Sequence, residues 1–346
     1  MSQPTDGLQP SPATCPELPS DLRYVDDSQP GISRRLLRGK YAYFTPEGER
    51  IRDPEEIARI NKLAIPPAYR QVWICPDPCG HVQATGRDAR GRKQYRYHSR
   101  WREVRDETKY ARLLAFGQAL SGLRATVEGD LAKPGMGRDK VIATVVSLLD
   151  ATLIRVGNSR YARDNKSFGL TTLRNRHVEV KSNAIRFRFR GKSGVDHELH
   201  LSHPRLARIV RRCQALPGQH LFQYLDDEGK RHAVTSTDIN DYLRAHAGVD
   251  FTAKDYRTWA GTALALDALR AVPVTDPRGQ LAETVRAVAS ELGNTPSVCR
   301  QCYIHPLVLE AFQRGELEDL PRARARQWLK PEEATLLRFL QARAGH

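Results

Sequence analysis

The sequence predicts an α+β protein: a small β-rich N-terminal domain, then a mostly α-helical domain carrying a β-hairpin insert. Three observations lead there. Short strand-like segments broken by Gly and Pro occupy the chain from about residue 32 to residue 98. Apolar residues then recur at helical spacing, as at Val141, Val145, Leu148, Leu149 and Leu153. In mid-chain, Ile185, Phe187 and Phe189 alternate with Arg186, Arg188 and Arg190, the pattern of a half-buried strand with a basic outer face. A chain of 346 residues can build two domains with their own cores. The expected division is a tail over 1–30, a domain over 31–104 and a second over 105–346.

Residues 1–30 hold Pro4, Pro10, Pro12, Pro16, Pro19 and Pro30 with few large apolar side chains, which predicts disorder. Order is expected from about Ile32. Tyr41–Phe44 and Ile51 flank Pro46-Glu47-Gly48 and read as a hairpin. Asp53 caps a helix whose first residue is Pro54. Gln71–Cys75, His81–Thr85 and Lys93–His98 read as strands. Helix follows from about 100 to 155, with Gly157 as its natural stop. Gly191-Lys192-Ser193-Gly194 turns the basic-faced strand back into Val195–Leu201. Helices dominate from 204 onward. Thr252-x-x-Asp255 is a capping box. Leu281, Val285, Val288, Ala289 and Leu292 line a helix stopped by Gly293, and Thr295-Pro296 starts the next.

The net charge of +15 points to a polyanionic partner, and the 40% hydrophobic and 27% charged composition to a soluble globular protein. Nucleic acid fits better than membrane, since no apolar run approaches the ~20 residues a span needs. Without an apolar N-terminal signal segment the protein is expected in the cytoplasm, with its six cysteines reduced. Cys75 and Cys79 with His81, and Cys299 with Cys302, fall short of the four-ligand pattern of a structural zinc site. Gly191-Lys192-Ser193 imitates a phosphate-binding loop, but Arg186 stands where that motif needs glycine, and the context is strand–turn–strand. Neither metal nor cofactor is therefore expected.

Five residues suggest chemistry. Tyr303 offers a hydroxyl nucleophile, Arg155 and Arg257 two guanidiniums, Lys192 an ammonium on a glycine-flanked turn, and Asn294 a neutral amide. Together they make a metal-free set for attacking a phosphodiester. Each alone has a plainer reading: a solvated turn lysine, an arginine paired with a carboxylate, a turn asparagine, a packing tyrosine. Arg257 lies near a helix N-terminus, where a cation is disfavoured unless an anion is bound. A second feature is the run from Gly86 to Arg102, with seven arginines and lysines and one acid, Asp88. There Arg92 and Lys93 suit phosphates, while the interleaved Gln94, Tyr95 and Tyr97 suit base edges.

The order of these residues resembles the catalytic domain of type IB DNA topoisomerases, in the small poxvirus and bacterial form. The matching runs are Ile154–Asn158, Ser167-Phe168-Gly169-Leu170-Thr171-Thr172-Leu173-Arg174, Arg190–Gly194, Lys254-Asp255-Tyr256-Arg257-Thr258-Trp259, then Asn294 and Ser297–Tyr303. Gly91-Arg92-Lys93-Gln94-Tyr95-Arg96-Tyr97 resembles part of that family's DNA-clamping domain. The resemblance covers roughly residues 32 to 312. Where the poxviral enzymes have histidine, this chain has Asn294, as bacterial members do.

The resemblance implies a domain of the tyrosine recombinase and topoisomerase IB type, and a catalytic set of Tyr303, Arg155, Lys192, Arg257 and Asn294. Tyr303 would form a 3′-phosphotyrosyl link, the arginines and Asn294 would hold nonbridging oxygens, and Lys192 would protonate the leaving 5′-oxygen. Lys254 would add a DNA contact beside Arg92, Lys93, Gln94, Tyr95 and Tyr97. The implied protein is a monomer that closes as a clamp around double-stranded DNA, acts at the nucleoid, and relaxes supercoils without ATP or obligatory metal. Two rivals are a tyrosine site-specific recombinase, which usually carries His where this chain has Lys254, and a non-enzymatic DNA-binding protein.

Overall fold

The structure, a computed structural model, describes residues 22–247 and 251–344. The chain divides into two compact units between Ala111 and Arg112, inside a continuous helix, where the sequence reading had put the boundary after 104. Of the expected tail, residues 1–21 lie outside the described residues. Residues 22–30 are not loose. Leu22 is buried, Arg23 bridges Gly80 in parallel, and the Trp73 indole donates to the Gln29 carbonyl at 2.9 Å. Their few apolar and polar groups find partners on the neighbouring sheet, which composition alone does not reveal.

The first unit is built from β1 (Ile32–Leu37), β2 (Lys40–Phe44), α1 (Pro54–Lys62), β3 (Arg70–Ile74), β4 (Val82–Arg87) and β5 (Lys93–Tyr97). The strands form one antiparallel sheet in the order β2-β1-β3-β4-β5. Asp53 caps α1 as expected, accepting from the Glu55 amide at 3.0 Å. Ile60 from α1 packs with Ile32, Tyr43, Ile74 and Ala84 to make the core. The hairpin around Pro46 is short, reaching only a Phe44–Arg50 bridge. The main partner of β2 is β1, absent from the sequence reading, whose outer residues Leu36 and Leu37 are exposed and so hide its alternation.

Helix α2 (Ser99–Ala132) leads into the second unit, followed by α3 (Arg138–Thr152) and α4 (Ser159–Asn165). Helix α3 does not run to Gly157. It ends at Leu153, which takes a left-handed φ of 54° and donates to the Leu149 carbonyl at 2.9 Å. The insert is larger than a hairpin: β6 (Val178–Lys181), β7 (Ala184–Arg190) and β8 (Asp196–Ser202) form a three-stranded antiparallel sheet. Ile185, Phe187 and Phe189 face inward, as the alternation requires. Then come α5 (Pro204–Ala215), a small hairpin of β9 (Gln223–Leu225) and β10 (Arg231–Ala233), and α6 (Ser236–Ala247). Helices α7 (Ala253–Arg270), α8 (Pro277–Glu291), α9 (Pro296–Cys302), α10 (Pro306–Gln313) and α11 (Pro331–Arg343) complete the unit. One apolar cluster joins these helices to the inner face of the sheet. Among the described residues no helix is long and apolar enough to cross a membrane.

Candidate active site and nucleic-acid surface

The site grows from three backbone junctions, each holding one expected residue. Arg155 lies on the loop after α3. That loop is cradled by the Ser167–Thr172 run: Leu170 donates to the Arg155 carbonyl at 2.9 Å and Thr171 to the Val156 carbonyl at 2.7 Å. Gly169 permits the approach, because a Cβ there would sit 2.4 Å from the Arg155 carbonyl oxygen. Asn294 lies between α8 and α9, after Gly293 with its φ of 57°. The Thr252–Asp255 capping box starts α7 as expected, with the Thr252 amide donating to Asp255 at 2.8 Å. Just over one turn of that helix carries Arg257 into the interior of the unit.

Arg257 ties the junctions together. It is only 4% exposed. Its Nη1 donates to the Leu153 carbonyl at the end of α3, and its Nη2 to the Leu292 carbonyl at the end of α8, at 2.6 Å. Its guanidinium carbon stands 5.1 Å from the centroid of the Tyr303 ring. Arg155 reaches the same place from the other side, donating to the Asn294 side-chain oxygen and to the Gly293 carbonyl at 3.3 Å. Tyr303 caps the C-terminus of α9, half-buried. Its carbonyl accepts from Thr262 Oγ1 at 3.3 Å, and Gly261 leaves the room, since a Cβ there would lie 2.6 Å from that oxygen.

Lys192 is exposed on the turn between β7 and β8. It lines a cleft of about 230 Å³ together with Arg155, Arg257, Gly293 and His197. Four of the five expected residues thus make two contact pairs, Arg155 with Asn294 and Arg257 with Tyr303, whose arginines bond the neighbouring Gly293 and Leu292 carbonyls, and Lys192 shares the cleft of the two arginines. His197 was not singled out from sequence. Its signal is its register: it pairs with the inward-facing Phe189 on β7.

Asp196, Glu198 and Glu291 also line the cleft, but none of them pairs with its two arginines. Among the described residues neither Arg155 nor Arg257 has a carboxylate partner; their acceptors are carbonyl and amide oxygens. The Arg257 Nε is buried without any acceptor. Burial pulls the Arg257 pKa below its ordinary value, and the neighbouring Arg155 adds to that, while Tyr303 opposes it. A buried cation left without an anion is costly, so the site is prepared for one. Burial also pushes the Cys299 thiol up to about 11, which keeps it protonated at neutral pH. Among the described residues no group of three or more His, Cys, Asp or Glu side chains gathers as a metal site.

In the first unit, the basic run lies on β4, β5, their connection and the start of α2. Tyr95 and Tyr97 stack with centroids 5.9 Å apart, and Tyr95 is 45% exposed. The cations there are less free than the sequence implies. Arg92 pairs with Asp88 at 2.7 Å, and Gln94 donates to the same carboxylate at 3.0 Å. Lys93 pairs with Asp27 at 2.5 Å while sitting 5.3 Å from the Tyr95 ring centroid. Asp27 belongs to the stretch expected as tail, so this pairing could not be foreseen. Lys254, in the first turn of α7, is exposed.

Both parts of the chain are similar to known proteins. Residues 98–326 match the family described as eukaryotic DNA topoisomerase I, catalytic core, and residues 40–88 match the bacterial DNA topoisomerase IB N-terminal domain. The chain is 31% identical over 296 residues to DNA topoisomerase 1B of Acanthamoeba polyphaga mimivirus, covering 82% of this chain and 88% of the relative. It is 24% identical over 264 residues to the DNA topoisomerase 1B of vaccinia virus, covering 73% and 78%. It is 25% identical over 233 residues to DNA topoisomerase 1 of rabbit fibroma virus, covering 65% and 70%. On the length of these matches, and with both parts of the chain accounted for, this protein belongs to the type IB DNA topoisomerases.

Proposed function

We propose that the protein relaxes DNA supercoils by cutting and rejoining one strand through a tyrosyl intermediate, without ATP or obligatory metal. The observation that carries this reading is the pair of guanidiniums at Arg155 and Arg257, which have no carboxylate partner among the described residues, the buried one of Arg257 standing beside the Tyr303 ring. A phosphodiester supplies the missing anion. The two cations and the Asn294 amide hold its nonbridging oxygens, where preorganised donors act most strongly on the charge of the transition state. The Tyr303 hydroxyl gives its proton to solvent water, and its oxygen forms a bond to phosphorus as the bond to the 5′-oxygen breaks. Lys192, exposed on its turn, gives a proton to that departing oxygen. The 3′-phosphotyrosyl link stores the bond for rejoining, so no outside energy source is needed.

The protein works as a monomer of the bacterial form, acting at the nucleoid. The first unit grips duplex through the Tyr95 and Tyr97 faces with Arg92, Lys93 and Gln94, and Lys254 adds a contact from the second. Helix α11 packs on α7 of its own chain, with Glu333 accepting from Trp259 at 3.3 Å, which favours topoisomerase over a recombinase that exchanges C-terminal helices. The test is incubation with supercoiled plasmid in EDTA without ATP. Relaxed topoisomers are expected from positively and negatively supercoiled DNA alike, together with protein trapped covalently on a 3′-phosphate. A strict requirement for Mg²⁺ or ATP would refute the reading.

A further inference from the structure

His197 stands between two backbone segments of the site. It pairs with Phe189 across β7 and β8, and the two rings stack with centroids 5.0 Å apart at 13°. That stacking sets the plane of the imidazole, and its edge then meets two glycine backbones. A Cβ on Gly191 would lie 2.5 Å from both Cδ2 and Nε2 of His197, and a Cβ on Gly293 would lie 2.5 Å from Cε1. Real side-chain carbons do not come so close, so the ring fills a space that only two glycines can leave. Gly191 precedes Lys192 on the turn. Gly293 precedes Asn294 and offers its carbonyl to Arg155 at 3.3 Å. The imidazole is therefore the spacer between the turn bearing Lys192 and the junction bearing Asn294. Burial and the charges of Arg155 and Arg257 hold its pKa below the ordinary histidine value, with Asp196 opposing, so at neutral pH it adds no third cation to the cleft.

We propose that His197 is a positioning residue, whose ring holds the β7–β8 turn against the Gly293–Asn294 junction and thereby aims Lys192 at the departing 5′-oxygen. This rests on the reading of Lys192 as general acid. The backbone supports it from the other side: Gly191 donates to the Val195 carbonyl at 2.7 Å and Gly194 to the Gly191 carbonyl at 3.1 Å, so the turn is a tight loop whose placement one wedge can govern.

The experiment is single-turnover cleavage of a duplex with either an ordinary phosphodiester or a 5′-bridging phosphorothiolate at the cut site. Sulfur leaves as thiolate and needs no proton. His197→Ala is expected to slow the phosphodiester by about 100-fold, the scale of a catalytic group displaced by ~1 Å. On the phosphorothiolate it should recover to within roughly tenfold of the unaltered protein, because only the proton transfer was impaired. Lys192→Ala is measured beside it. If Lys192→Ala shows no sulfur rescue, the general-acid reading fails and the proposal with it. If Lys192→Ala is rescued while His197→Ala is slowed equally on both substrates, His197 does not aim the lysine and the proposal alone is overturned.

Gly191→Ala gives a second route that does not depend on the alanine at 197 folding. The φ of Gly191 is −92°, open to any residue, so the new methyl acts through its contact with the ring. It should produce the same sulfur-rescued defect, and adding His197→Ala should cost little more. Additive losses in the double variant would refute the contact as the cause.

Discussion

Arg124 is the residue whose removal should most weaken the second unit. It lies on α2 and bridges two other helices. Its guanidinium donates to Asp150 of α3 at 2.7 and 2.8 Å, and to Glu333 of α11 at 2.7 and 2.8 Å. The Trp328 carbonyl accepts a further bond at 2.5 Å. Glu333 is 4% exposed, and its remaining donors are the Trp259 indole at 3.3 Å and the Lys330 amide at 2.8 Å. Arg124→Ala leaves that carboxylate buried, facing Asp150 with no cation between them. Breaking a buried pair this way costs about 3–5 kcal/mol. For a folding unit of this size that is a fall in melting temperature of roughly 10 °C.

The effect carries a pH signature. Burial raises the pKa of Glu333, but the Arg124 hydrogen bonds and charge outweigh it, and the folded value lies below the ordinary one. A depressed carboxylate stabilises above its unfolded pKa and loses that contribution as pH falls through the folded value. Without Arg124 the depression disappears, so the deficit of the variant should be largest near neutral pH and narrow through the acid range. Calorimetry at several pH values reads both quantities. A shift under about 2 °C at pH 7, or a deficit that stays constant as the carboxylates protonate, would show that the cluster does not bind these helices together.

Three further outcomes are expected. Tyr303→Phe should keep duplex binding nearly intact, since the ring under Arg257 remains, yet lose relaxation and covalent adducts completely; an adduct trapped with this variant would exclude Tyr303 as nucleophile. Gly169→Ala places a methyl 2.4 Å from the Arg155 carbonyl, and the resulting shift of that loop should slow cleavage by about 100-fold at modest loss of stability; unchanged cleavage would mean the cradle does not set Arg155. Asp27→Asn removes the carboxylate that pairs with Lys93, so duplex binding should tighten at low salt and the slope of log affinity against log salt should steepen by up to about 0.9. An unaltered slope in a salt titration would show that Lys93 does not meet a phosphate.

Much of this protein could be read directly from its sequence wherever the signal is local. The cap at Asp53, the capping box at Thr252 and Asp255, the helix restart at Thr295-Pro296 and the inward face of β7 all follow from residues a few positions apart, and all are present. Such features depend on short-range hydrogen bonds and side-chain periodicity, which a chain carries before it folds. The order Arg155, Lys192, Arg257, Asn294, Tyr303 was legible too, though as a pattern of kinds and not as a place.

What only the tertiary structure decided are matters of partnership between distant segments. Whether Arg257 pairs with a carboxylate or stands ready for an anion was even from sequence; folding gave it the carbonyls of Leu153 and Leu292, from helices on either side in the chain. The same contact belongs to the end of α3, which stops at Leu153 and not at the glycine that sequence favours. Lys93 reads as a free cation, but folding brings Asp27 to it from a stretch that composition marks as tail. His197 carries no motif at all, and its meaning lies in two glycines that are far apart in the chain and meet at one ring. In each case the deciding energy is a long-range hydrogen bond, ion pair or steric fit, and such terms exist only once the chain has closed on itself.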